Sequence, residues 1–135
     1  MEDLPLRWAA AWSAHDPDGL ASLFAEDGVY EDVTFQTENH GHHGVSEWAT
    51  GFLAAFPDLG VEPRSLFLAD ERAILEWTMG GTHRGTLGDM AATGKRFEVR
   101  GVTLFTFRAG LIARCSDYWD LATVQRQLGY VARRT

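Results

Sequence analysis

The chain has 135 residues, 45% of them hydrophobic and 23% charged, which is enough apolar surface for one core and too much for a disordered segment. Its net charge of −7, from 19 acidic against 12 basic residues, argues against nucleic-acid binding, because phosphate recognition needs a concentrated basic face. The single cysteine, Cys115, leaves no intrachain disulfide and no all-thiolate metal site, and a lone thiol in an apolar strand reads as a small buried hydrophobe.

The start, Met1-Glu2-Asp3-Leu4-Pro5, is acidic and lacks a basic leader followed by an apolar stretch. No run approaches the roughly 18 apolar residues of a membrane span, so the expectation is a cytoplasmic protein without a membrane partner. Leu4, Trp8, Ala11 and Trp12 recur at helical spacing, and the pattern stops near His15. Asp16-Pro17 combines an N-cap with proline at the first helical position and predicts a second helix. Its stripe is Leu20, Leu23 and Phe24, and it is expected to end around Glu26-Asp27-Gly28. Val29 to Phe35 reads as a strand, Gln36 to Gly44 as a polar loop with three histidines, and Val45 to Phe56 as a third helix closed by Pro57-Asp58.

From Gly60 onward the period becomes two. Val61 to Ala69, Arg72 to His83, Lys95 to Phe107 and Leu111 to Trp119 are expected as strands, paired antiparallel across the short turns Asp70-Glu71 and Ala109-Gly110. Gly85 to Gly94 is a longer glycine-containing loop, either a lid or an ordinary connection. A last helix runs from an Asp120 cap through Leu121, Val124 and Leu128 to Gly129, and Arg133 and Arg134 read as a solvated tail. Without repeats or linkers, residues 1–135 read as one α+β domain, with helices packed on one face of a curved antiparallel sheet around a pocket.

Strand parity selects the inward side chains. Ala73, Leu75, Trp77 and Met79 share one face, with His83 at its far end, although Gly80-Gly81 would break the alternation if it bulged. Phe97, Val99, Thr103, Phe105 and Phe107 share the matching face of the next strand. Val102 and Leu104 lie on the opposite face, so an apolar patch there suggests a dimer surface. In the last strand Asp117 falls on the side of Ala113, Cys115 and Trp119. A carboxylate against an apolar wall is pushed toward a pKa suited to general acid or base work, the competing reading being a structural Asp at a strand end. Tyr30 and Asp32 share one face of their strand, with Val29, Val33 and Phe35 on the other, and parity does not decide between the two.

The ordered set of motifs resembles the SnoaL-like polyketide cyclases within the NTF2-like superfamily, over nearly the whole chain. It comprises Trp12-Ser13-Ala14-His15-Asp16-Pro17-Asp18-Gly19-Leu20, Leu23-Phe24-Ala25-Glu26-Asp27-Gly28-Val29-Tyr30-Glu31-Asp32, and Phe56-Pro57-Asp58. Gly81-Thr82-His83-Arg84-Gly85, Thr93-Gly94-Lys95-Arg96-Phe97, Asp117-Tyr118-Trp119-Asp120 and Arg126-Gln127-Leu128-Gly129 complete it. The resemblance implies a cone-shaped, commonly dimeric domain whose deep pocket does acid–base chemistry without metal or cofactor, with Asp117 in the place of the proton-abstracting Asp. The limonene-1,2-epoxide hydrolases are similar at Tyr30 and at Asp32, where they carry Asn, but their Arg and second Asp on a middle strand have no counterpart near Trp77 to His83. The ketosteroid isomerases are similar at Asp32; Trp8 and Thr103 fall where their oxyanion donors stand and do not supply the same donors.

These readings converge on a cofactor-independent acid–base enzyme, an aldol-type cyclase or isomerase acting on an apolar, carbonyl-bearing, polyketide-like small molecule. Asp117, Asp32, His83 and Tyr30 are the expected catalytic residues, with Trp77, Phe105, Trp12, Phe56, Thr103 and Trp119 expected against the substrate. The alternatives are a small-molecule binding domain without catalysis and an epoxide hydrolase-like enzyme. His40, His42 and His43 lack a fourth ligand at a motif spacing and read as exposed or lid residues rather than a zinc site.

Overall fold

Leu4, Trp8 and Trp12 are spaced to lie on one face of a helix, and in the structure, a computed structural model that describes residues 3–130, all three are buried on α1 (Leu4–Ser13). The tail arginines Arg133 and Arg134 and the first two residues lie outside the described residues. Asp16 caps α2 (Pro17–Ala21) by accepting from the Gly19 N–H. This helix stops earlier than its apolar stripe suggests. Leu23 and Phe24 leave it and pair with the strand that ends in Trp119, the Ile112 N–H donating to the Leu23 carbonyl. Short apolar runs fit both periods, and here the backbone partners decided.

The first strand, β1 (Phe24–Asp32), therefore starts and ends earlier than expected, and Val33 to Gln36 form a turn in which Gln36 adopts φ 56°. The polar stretch expected as loop instead holds β2 (Thr37–His40), an edge strand antiparallel to β1, and the first turn of α3 (Gly41–Ala55). A short edge strand needs only backbone partners, so it leaves no hydrophobic period in the sequence. The remaining strands lie close to their expected places: β3 (Gly60–Ala69), β4 (Arg72–Thr82), β5 (Arg96–Arg108) and β6 (Leu111–Trp119), followed by α4 (Leu121–Gln127). Asp120 caps α4 through the Ala122 and Thr123 N–H groups.

The six strands form one curved, unclosed sheet in the order β2-β1-β6-β5-β4-β3. All neighbours pair antiparallel except β1 and β6, which run parallel. Gly80 and Gly81 do not bulge; they stay in register with Glu98 and Phe97, so the β4 parity holds to its end. The inward residues of β4 and β5 read from parity are buried and meet α1 and α3 in one core. Gly101 is required where β5 passes beneath Trp77, because a Cβ there would come within 2.5 Å of the indole ring.

The loop after β4 is anchored rather than free. Arg84 and Gly85 N–H groups donate to the Ala55 carbonyl at the end of α3, and Leu87 and Met90 bond each other and are buried. The outer face of the sheet carries exposed Phe67, Ile74 and Tyr118. Among the described residues no helix is long and apolar enough to cross a membrane.

Candidate active site

Register places the polar residues of the inner face side by side. One row across the sheet runs Leu75, Thr103, Asp117, Asp32, Thr37, and the row before it runs Ala73, Phe105, Cys115, Tyr30, Asn39. The parallel β1–β6 pairing thus makes Asp32 the direct neighbour of Asp117, at the roughly 4.8 Å spacing of adjacent strands. Tyr30, Asp32, Thr103 and Asp117 are all buried, and the ambiguity over the β1 faces is settled in favour of Tyr30 and Asp32 inward.

Both oxygens of Asp117 are held by hydroxyls. Tyr30 donates to Oδ2 at 2.6 Å and Thr103 to Oδ1 at 2.7 Å. Each hydroxyl in turn accepts from an indole N–H, Tyr30 from Trp12 at 3.2 Å and Thr103 from Trp77 at 2.8 Å. An indole N–H is a donor only, so it fixes the direction of each chain and leaves the hydroxyl hydrogen for Asp117. These bonds favour the carboxylate. Burial, and then the nearby Asp32, oppose them more strongly, and the Asp117 pKa rises to about 8. Burial pushes the Tyr30 phenol well above its usual range, so it remains a donor. Burial also raises Asp32, against the lowering effect of its bonds from the Phe35 N–H and the Trp119 indole.

Asp117 and Asp32 open on a cavity of about 20 Å³. Its walls come from Trp8 and Trp12 of α1, Trp48 and Phe52 of α3, and Val61, Trp77, Met79 and Trp119 of the sheet, together with Leu59. That volume accommodates about one water molecule. A wider open groove of about 430 Å³ runs past Asp58 and Arg96, but those exposed charges already pair with each other and with Thr82.

The structure therefore brings Asp117, Asp32 and Tyr30 together and leaves His83 elsewhere. His83 is buried just beyond β4, its Nδ1 3.3 Å from Thr93 Oγ1 and its ring 5.4 Å from that of Phe56, and burial pushes its pKa down. Of the expected substrate contacts, Trp12, Trp77 and Trp119 line the cavity. Thr103 acts from behind Asp117, Phe105 packs edge-on against Trp8, and Phe56 packs against Phe97. Met79 stood on the inward face in the parity reading, whereas nothing in the pattern marked Leu59 and Val61 as cavity walls. The histidines separate: His42 Nε2 bonds the Phe24 carbonyl, while His40 and His43 lie beside Glu38 and Glu47. Among the described residues no group of three or more His, Cys, Asp or Glu side chains is arranged to hold a metal ion.

The model of the SnoaL-like polyketide cyclases matches residues 2–128. The chain belongs to this family. A protein of Catenulispora acidiphila with a ketosteroid isomerase-like fold, solved with trimethylamine, is similar to this SnoaL-like chain at 28% identity and a TM-score of 0.86, covering 98% of this chain and 97% of that one. AclR of Streptomyces galilaeus, a candidate hydroxylase, shares 26% identity at a TM-score of 0.81, over 98% and 82% of the two chains. A SnoaL-like polyketide cyclase candidate from Jannaschia sp. CCS1 has the same fold at 16% identity, with a TM-score of 0.85 over 96% and 92%. No curated protein matches this SnoaL-like chain.

Proposed function

We propose that the chain is a cofactor-independent acid–base enzyme that cyclises an apolar, polyketide-like substrate by an intramolecular aldol-type step. The observation that carries this reading is Asp117, buried at the cavity, with both oxygens held by hydroxyls whose direction two indoles set. The ionised Asp117 takes a proton from carbon next to a carbonyl, and the C–H electron pair moves into an enolate. The enolate carbon attacks a second carbonyl of the same molecule; a C–C bond forms, the C=O π bond breaks, and the alkoxide recovers the proton from Asp117.

The donors near the cavity limit the substrate class. The Tyr30 and Thr103 hydroxyls are spent on Asp117, and Asp32 is an acceptor for Trp119 and Phe35. Thr103 gives its hydroxyl to Asp117, and Trp8 stands where an isomerase has its tyrosine donor, so the reading does not rely on an isomerase-like oxyanion hole. The reading therefore favours a 1,3-dicarbonyl carbon, whose enolate spreads its charge over two oxygens of its own. Loss of turnover in Asp117→Asn is the direct test; full turnover in that variant would remove Asp117 from the chemistry, and ligand retention without any turnover by the unaltered chain would return it to a binding domain.

The one-water volume beside Asp117 gives specific support to a second reading, hydrolysis of an epoxide. Product analysis in ¹⁸O-labelled water separates the two. Cyclisation is expected to leave the new hydroxyl unlabelled, because its oxygen is the former carbonyl oxygen, sampled before that carbonyl exchanges. Label in the hydroxyl at every early time point would establish hydrolysis instead.

A cytoplasmic homodimer is proposed as the working form, with the outer sheet face as its interface. Phe67 is 64% exposed and neighbours Ile74 across β3 and β4, and Val102, Leu104 and Tyr118 continue the same face. Sedimentation equilibrium of a Phe67→Arg/Ile74→Arg variant is expected to give the monomer mass against a dimer for the unaltered chain. A monomeric unaltered chain would remove the proposal.

A further inference from the structure

The cavity is too small for any cyclisable substrate, so something in its wall must move, and burial shows which part. Of its lining side chains only Trp48 and Trp119 are half-buried; the rest are buried. These two therefore mark where the cavity meets solvent. Phe35 sits outside them, its ring 6.4 Å from that of Trp48 and 5.3 Å from that of Trp119, both edge-on. Three aromatic rings close one entrance.

Trp119 cannot leave that entrance by moving its backbone. Its N–H donates to Thr34 Oγ1 at 3.1 Å, its carbonyl accepts from the same hydroxyl at 2.7 Å, and it pairs with Gly101 of β5. Rotation of the indole is left as the available motion, and one side chain restrains it. Asp32 Oδ2 accepts from Trp119 Nε1 at 3.0 Å, and Oδ1 accepts from the Phe35 N–H at 2.9 Å. A single carboxyl group thus ties the indole to the turn that carries the third ring.

We infer that Asp32 is a positioning residue that latches Trp119 across the cavity entrance, so that rotation of this indole admits substrate to Asp117. The inference rests on reading this cavity as the substrate site. It assigns Asp32 a role in entry rather than in proton transfer. Asp32→Asn is the informative change. An asparagine retains its oxygen for the Phe35 N–H, an ordinary turn bond for this residue type, and then presents its NH₂ to the indole N–H, which it cannot accept.

The test has two arms. In protein labelled with 5-fluorotryptophan, the Trp119 ¹⁹F resonance, assigned by its absence in Trp119→Phe, is expected to shift and broaden in Asp32→Asn; this arm needs no ligand. In stopped-flow binding of 2-acetylnaphthalene, a flat ketone with no second carbonyl to attack, Asp32→Asn is expected to raise the association rate about tenfold. The same change made in Trp119→Phe is expected to leave that rate unaltered. An unchanged Trp119 resonance, or an equal rate effect in both backgrounds, would overturn the latch, since the latter is what Asp32 acting only through the charge of Asp117 would produce. Neither arm measures turnover, so failure of the latch and failure of the Asp117 chemistry are told apart.

Discussion

Asp117→Asn is expected to lower turnover by about 10²–10⁴-fold, the contribution of a placed general acid or base, while the fold and ligand affinity stay close to those of the unaltered chain. The reason lies in the wiring of the carboxyl group. Tyr30 and Thr103 are already acceptors for Trp12 and Trp77, so they donate to Asp117 and keep it oriented in either protonation state. An amide keeps the shape and one acceptor but cannot take the substrate proton. Since the ionised form does the abstraction, kcat/KM of the unaltered enzyme is expected to rise with pH through a midpoint near the Asp117 pKa of about 8. Tyr30→Phe removes a bond that lowers this pKa and moves the midpoint up, and removing the charge of Asp32 moves it down. A pH–rate profile of the three proteins checks all three directions. A midpoint that ignores both substitutions would assign the limb to another group.

The same carboxyl group is expected to make the fold less stable as pH rises. Its folded pKa of about 8 lies above that of an unfolded Asp, near 3.9, so the folded state holds the proton longer. Below about pH 4 both states are protonated and the group costs nothing. Between about pH 4 and 8 the unfolded chain has released the proton and the folded chain has not, so stability falls throughout that window. At about 1.4 kcal/mol per pKa unit, the loss reaches several kcal/mol and levels off above pH 8. Asp117→Asn lacks this titration. Urea unfolding at pH 5 and pH 8.5 is expected to show the unaltered chain losing several kcal/mol more than the variant between the two values. Equal losses would mean that the buried carboxyl is not held protonated.

Asp117 was legible because the end of β6 alternates: Cys115, Asp117 and Trp119 share a face, and an acid among them is conspicuous, whereas nearer the start of the strand a register shift leaves Ala113 unpaired and turns Ile112 inward instead. The inward sides of β4 and β5 were legible for the same reason. Asp16 and Asp120 were legible as caps, since capping depends on a few neighbouring residues. Other elements were misread where the decisive partner was distant. Leu23 and Phe24 suit a helical stripe, but their backbone pairs near Ile112. Thr37 to His40 is polar throughout and became a strand because β1 had a free edge. His83 does point inward as its parity suggested, but the end of α3 delivers Phe56 to that spot, and the cavity lies elsewhere.

What the sequence by itself determined is the alternation that turns Asp117 toward the interior, and with it the expectation of a carboxyl group on an apolar wall. What only the tertiary structure decided is its company. The parallel pairing of β1 with β6 brings Asp32 and Tyr30 from the first third of the chain beside a residue near its end, and the aromatic entrance exists only once Val33 to Gln36 turn against Trp119. Side-chain direction along a strand follows from local backbone geometry, whereas the choice of neighbouring strand depends on contacts distant in sequence, which no local period records.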